Sequence, residues 1–314
     1  MFMNRFSIRR AIMTIAVLGA VLCVNSGILA GPVQFASPIA AADELMSALK
    51  QSDKIQLERV FGESPSKLLP FLGSDQKKRD NDLQDFIAAY EERHFIERNK
   101  EEAILCVGKT GWPFFIPMVS DSSGMWMFDI DKGVEELRIR QIGKNELFIM
   151  SSLNAYVDGQ REFFRSNYDK GTVRTYARKF FSDKNAYNGL YWRKGKGKPE
   201  SPLGPYIAWA EQRGRKGSRN KPYSGYYYKI LTKQGSAAEG GEYSYIVNDK
   251  MVFGFALVAW PADYGTSGVM SFIVDHHDRI YEKDLGEDTD SMAKAIDSFN
   301  PDDSWSQVDH KWID

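Results

Sequence analysis

At 314 residues the chain is long enough for one large domain or two ordinary ones, each with a buried core. Charged residues make up 26% and aromatics 13%, a balance that excludes a disordered tail and a membrane bundle. The formal net charge of −1 lacks the basic excess of a general nucleic-acid binder, and no recognised nucleic-acid motif is present.

The chain opens on Arg5, Arg9 and Arg10 with no acid among residues 1–10, followed by an almost wholly apolar run over 11–24. Small residues then lead to Ala40-Ala41-Ala42 before Asp43. This pattern predicts a secretory signal peptide over residues 1–42, with a cut after Ala42 preferred to one after Ala30. The apolar core is shorter than the ~20 residues of a spanning helix, and no later stretch approaches that length. The mature chain is therefore expected to be periplasmic or secreted, with no permanent membrane span. Its one remaining cysteine, Cys106, cannot make an internal disulfide.

Past the leader the pattern predicts an α+β fold in two sub-domains, 43–134 and 135–314. Asp43 is a candidate N-cap for a helix over 43–61, and a second helix is expected over 80–93. Strands follow at 103–107, 114–119 and 125–129, separated by glycine-bearing turns. The longest helical candidate runs from 134 to 167, with Gly143 and Gly159 as points of interruption. Short helices are expected at 172–181 and 205–211 within a segment rich in Gly, Pro, Lys and Arg. An antiparallel meander then reads at 226–232, 243–247, 253–260, 268–274 and 280–284, and a helix over 289–299 closes the chain.

Several strings recur in an order that carries a resemblance. They are Trp112-Pro113-Phe114, Phe128-Asp129, the run Arg140-Gln141-Ile142-Gly143-Lys144-Asn145-Glu146-Leu147 and Gly189-Leu190-Tyr191-Trp192. Further on come Ser201-Pro202-Leu203-Gly204-Pro205, Gly225-Tyr226-Tyr227, the run Gly254-Phe255-Ala256-Leu257-Val258-Ala259-Trp260-Pro261 and Lys283-Asp284-Leu285-Gly286. Together they resemble the bacterial domain-of-unknown-function 2950 family across residues 43–305. The resemblance implies an exported bacterial protein with no assigned catalytic activity and no established cofactor. Residues 143–285 are also similar, in element order, to the globular heads of type IV pilin-like proteins, an analogy of architecture that does not fix function.

Four constellations are candidates for chemistry. His94 with Cys106 would make a nucleophile pair only if the imidazole reached the thiol, and Cys106 sits in an apolar strand where cysteine is usually inert packing. His276-His277 with Asp275 or Asp278 falls short of a four-ligand zinc site, and adjacent turn residues are expected to point apart; no metal is predicted. Asp129, Asp131, Glu135 and Glu136 would be the paired carboxylates of a periplasmic hydrolase, but their spacing suits a helix N-cap and first turn better. Arg138, Arg140, Asn145 and Glu146 are read as a polar joint between the halves.

The fourth is electrostatic. Residues 193–221 carry nine cations, Arg193, Lys194, Lys196, Lys198, Arg213, Arg215, Lys216, Arg219 and Lys221, against only Glu200 and Glu211. Trp192 and Trp209 lie beside them, and residues 278–314 carry the opposite excess. This segment is the candidate binding surface for an envelope protein, an anionic polymer or a lipid headgroup, the alternative being a solvated loop neutralised by the chain's own acidic tail. No catalytic residue and no cofactor is assigned. The expectation is a non-enzymatic binding or assembly module, with the hydrolase as the rival.

Overall fold

The computed structural model describes residues 33–62, 67–68, 71, 76–168, 170–184, 186–195, 197–207 and 221–308. The chain divides into two compact units between Gln141 and Ile142. Helices and antiparallel sheets make it an α+β protein.

The first unit starts with α1 (Pro38–Gln51), capped by Ser37, whose Oγ accepts from the Ala40 N–H at 3.2 Å. Pro38 suits the first helical position, where its missing N–H costs nothing. Ser52 ends α1 in the left-handed region, and Asp53 caps α2 (Lys54–Phe61) by accepting from Gln56 N at 3.0 Å. The single helix expected over 43–61 is therefore two, because the apolar spacing continues through a break made by local capping. Asp43, inside α1, accepts from the Tyr90 hydroxyl of α3 (Gln76–Glu92) at 2.8 Å instead of capping.

The sheet of this unit runs β1 (His94–Arg98), β2 (Glu102–Val107), β4 (Met118–Ser120), β5 (Trp126–Phe128), with β3 (Trp112–Pro113) also paired to β2. β1 carries no apolar alternation and was not expected; its pairing with β2 creates it. The strand expected over 114–119 is replaced by β3, a buried Phe114-Phe115-Ile116 crossing and β4.

Residues 33–42 belong to this fold, although composition placed them in the leader. Phe35 exchanges backbone hydrogen bonds with Trp126 at 2.7 and 2.8 Å, and Ala41 and Ala42 are fully buried. A cut after Ala42 would pass through α1, whereas one after Ala30 leaves every one of these contacts in place.

Helix α4 (Ile130–Ser166) is 37 residues long and contains the boundary between the units. Asp129 caps it, accepting from Lys132 N at 3.0 Å. It runs unbroken through Gly143 and Gly159, so neither glycine interrupts it. Gly159 instead permits close packing, since a Cβ there would lie 3.1 Å from Leu203 Cδ2.

The second unit is built on a five-stranded antiparallel sheet in the order β14 (Ser306–Gln307), β13 (Ile280–Asp284), β12 (Met270–Asp275), β11 (Ala256–Pro261), β6 (Tyr226–Leu231). β11, paired on both sides, is buried at all six positions. Two small pairs, β7 (Lys233–Gln234) with β8 (Tyr243–Ser244) and β9 (Ile246–Val247) with β10 (Lys250–Met251), divide the strand expected over 243–247 at the buried Tyr245. Helix α5 (Thr289–Ala295) is shorter than the expected 289–299.

One row of α4 holds the irregular parts of this unit. Asn145 Nδ2 donates to Ser267 O at 2.8 Å, and Glu146 Oε1 accepts from Val269 N and Met270 N at 2.9 and 3.0 Å. Tyr156 donates to Ala256 O, and the Gln160 amide both accepts from Ala177 N and donates to Ala177 O, each at 2.8 Å. That last pair explains why the helix expected over 172–181 is absent: Ala177 takes its backbone partners from Gln160, and Tyr176 N donates to Met251 O. Thr172, Val173 and Thr175 are weak helix formers and offer little resistance. Asn145 and Glu146 thus bond within the second unit, and Arg138 and Arg140 pair with Glu135 and Glu136 within the first.

A chain beginning at Asp43 should be less stable than one beginning at Gly31 by about 3 kcal/mol or more, through loss of the Ser37 cap and of Phe35 burial. Equal urea midpoints for the two purified chains would remove the structural case for residues 33–42.

Candidate functional site

A cleft of about 1250 Å³ lies in the second unit. Its lining draws on β6, where Tyr226, Tyr227, Tyr228 and Ile230 contribute, and on residues 178–193. β6 enters through Ser224 and Gly225, both with positive φ (55° and 83°), a two-residue turn across which Tyr223 and Tyr226 bond to each other. The 178–193 wall folds on itself, with Tyr191 N donating to Phe180 O at 2.7 Å and Ser182 N to Tyr191 O at 2.9 Å. Gly189 makes that fold-back feasible, because a Cβ there would lie 2.7 Å from Ser182 N.

Behind the lining lie the buried residues Tyr156, Leu203, Tyr226 and Leu257, of which only Leu203 keeps more than 1% of its surface exposed. Burial pushes the phenols of Tyr156 and Tyr226 well above the ordinary tyrosine range, so both stay neutral donors. Half-buried rings of Phe180, Tyr187, Tyr191 and Tyr206 line the walls. The lining carries the cations Arg178, Lys179, Lys184, Arg193, Lys198 and Lys221, with Asp183 the one acid among the described residues. Arg178 is paired with Asp249 at 2.6 Å, and Lys179 with Asp183. Among the described residues, Lys184, Arg193, Lys198 and Lys221 have no carboxylate partner.

Of the residues singled out in the sequence, Trp192, Arg193, Lys198 and Lys221 come together in this cleft. Trp192 is 8% exposed, and its Nε1 donates to Pro199 O at 2.9 Å, so it braces the loop that bears the cations while Tyr187 packs on it at 4.9 Å. Lys194 lies outside the lining and sits 3.6 Å from Glu200. Lys196, Trp209, Arg213, Arg215, Lys216 and Arg219 lie outside the described residues. No ion pair among the described residues joins this segment to residues 278–308. Sequence reasoning missed Lys184 and the β6 tyrosines as cleft residues. The Tyr226-Tyr227-Tyr228 run was the available signal, but it was read only as a strand.

The other constellations are engaged elsewhere. Asp129 caps α4, Asp131 pairs with Lys67 at 2.7 Å, and Glu135 and Glu136 pair with Arg138 and Arg140, each at 2.8 Å. The Arg138 hydrogen bond holds the Glu135 carboxyl below its ordinary value. His94 stacks on Tyr90 at 3.8 Å and bonds its carbonyl, while β2 places Cys106 opposite Phe95. Burial first, and then Glu97, raises the Cys106 thiol, which keeps it protonated and unreactive.

Asp275, His276 and His277 present ligand atoms within 4.8 Å of one another. The two imidazoles lie side by side, 4.1 Å between centroids, and do not point apart as expected of neighbours in a turn. Asp275 is fully buried, however, and its carboxylate accepts from His277 N, Arg279 N and the Arg279 guanidinium. A guanidinium already occupies the face a cation would need, so this donor set suits an Arg–Asp anchor for the β12–β13 turn better than a metal site. The melting temperature should accordingly be the same with and without a chelator; a drop of several degrees would show a structural metal.

The His276 ring packs against Tyr245 and Phe255. Burial, then His277 and Arg279, hold it below the ordinary histidine value, with Asp275 opposing. The unfolded chain therefore takes up a proton near pH ~6.5 that the folded chain refuses, and stability falls as pH drops below that value. The urea midpoint should decrease from about pH 7.5 to about pH 5.5, with a shallower slope in His276→Gln. Identical slopes would place the dependence elsewhere.

Fold and cleft together define an α+β protein with an aromatic cleft edged by cations. The family model described as Protein of unknown function (DUF2950) matches residues 33–308, and the chain belongs to that family. No curated protein and no solved structure matches it. Among the described residues no helix is long and apolar enough to cross a membrane.

Proposed function

We propose that this chain is an exported, non-enzymatic binding module of the bacterial envelope whose cleft takes an anionic ligand. The observation that carries the reading is the pairing of aromatic walls with Arg193, Lys198, Lys221 and Lys184 at one cleft. Convergent charge of one sign on a concave surface raises the local concentration of an opposite charge. The chain's overall charge of −1 makes that local excess selective and not general. The leader supplies the compartment and the family supplies no competing activity. The carboxylates that a hydrolase would use are tied to helix capping and ion pairs, so the geometry favours binding.

The test is retention. Protein exposed to envelope extract at ~0.1 M salt should retain an anionic component, and less of it as salt approaches ~1 M, because the Debye length shortens from ~10 Å to ~3 Å. The triple variant Arg193→Gln, Lys198→Gln, Lys221→Gln should retain about tenfold less, with stability changed by under about 0.5 kcal/mol per site. Equal retention by the variant would overturn the proposal.

A further inference from the structure

The first unit leaves a sheet edge open in a pattern that complements itself. β1 ends the strand order of its sheet, with β2 as its one neighbour among the described residues. Gly108 N donates to Arg93 O at 2.7 Å and Asn99 N to Glu102 O at 2.9 Å, so the odd-numbered residues of β1 bond to β2. The backbone N–H and C=O groups of His94, Ile96 and Arg98 therefore face away from the sheet. None of these groups has a partner among the described residues.

Arg93, Phe95 and Glu97 are exposed and share one face of this edge. The Arg93 guanidinium lies over the Phe95 ring, 5.4 Å from its centroid, and Phe95 is 39% exposed. One charge of each sign thus flanks the ring. Four residues span about 13 Å along a strand, so Arg93 and Glu97 cannot meet within one chain. Neither has an ion-pair partner among the described residues.

Charges of one sign on a bare edge repel a second strand. Opposite charges placed evenly about an apolar residue do the reverse when the strand meets its own copy. In an antiparallel pair centred on Phe95, His94 of one copy exchanges backbone hydrogen bonds with Ile96 of the other. The two Phe95 side chains become direct neighbours, and Arg93 of each copy lies opposite Glu97 of the other. A slip of two residues would set Phe95 against Glu97 and His94 against Arg98, losing both matches. We infer that two copies of this chain associate through β1, antiparallel about a two-fold axis at Phe95, and join their sheets edge to edge.

The experiment uses the chain beginning at Gly31. Sedimentation over ~1 μM to ~1 mM should show a reversible monomer–dimer equilibrium. Arg93→Glu or Glu97→Arg alone sets like charges opposite each other at two places and should weaken the dimer about tenfold. The double variant Arg93→Glu, Glu97→Arg restores both pairs in reverse and should recover the affinity to within about threefold, which damage to the fold would not do. Cross-linking then reads the register. It is done in a Cys106→Ala background, because Cys106 lies opposite position 95 in β2. Phe95→Cys should give a disulfide-linked dimer on mild oxidation, since facing residues at such a pair have Cα atoms ~4.5 Å apart. Glu97→Cys should cross-link to Arg93→Cys in a mixture but not to itself. A monomer at every concentration, a double variant as weak as either single one, or single variants that dimerise like the parent would overturn the inference. So would cross-linking of Glu97→Cys to itself as readily as Phe95→Cys.

Discussion

The second unit depends on polar side chains that α4 presents from inside its packed face. Its segments 170–207 and 263–269 have almost no strand pairing of their own, so their buried backbone groups need partners from elsewhere. Asn145, Glu146 and Gln160, at helical spacing along α4, meet backbone groups of Ser267, Val269 and Ala177, while Tyr156 reaches Ala256 O in β11 and Ser152 the Tyr206 hydroxyl. The same face carries Ile149, Leu153, Val157 and Phe163 into the core, so apolar packing and polar satisfaction are supplied by one helix. Glu146 shows what this costs. Its burial raises the carboxyl above the ordinary value even though two backbone N–H groups favour the ionised form.

The cleft is a consequence of that arrangement. Gln160 fixes Ala177, which sets where residues 178–193 start, and Gly189 lets them double back with Leu190 buried. Gly159 admits Leu203 against α4, closing the floor. The cations then emerge from a loop braced by Trp192 and Pro199. Trp192 therefore has a supporting role, and the rings on the cleft surface are Tyr187, Tyr191 and Tyr206.

At the start of α4, Asp129 caps the helix, Glu135 and Glu136 pair with neighbours one turn away and Asp131 pairs with Lys67, and Asp275 is absorbed by Arg279 and two backbone N–H groups. Such groups make strong motifs in a sequence because they sit close together, but closeness along the chain is what lets them satisfy each other. Lys184, Arg193, Lys198 and Lys221 are gathered by the fold, and among the described residues no carboxylate pairs with them.

By itself the sequence determined the class, the long helix, the meander and the family. Apolar periodicity reports which face is buried, and the strands at 226–232, 268–274 and 280–284 were legible to within two residues because both alternation and turn residues marked them. The capping role of Asp129 was legible too, since a cap needs only local spacing. Tertiary structure alone decided that β1 is a strand, that residues 172–181 are not a helix, and that residues 33–42 belong to the fold. In each case the deciding hydrogen bonds come from distant residues: β2 for His94–Arg98, Gln160 and Met251 for Tyr176-Ala177, Trp126 for Phe35. The cleft lies on the same side of that divide. Arg193, Lys198 and Lys221 could be read from composition, but the lining that gathers them is assembled from α4, β6, β11 and residues 178–193.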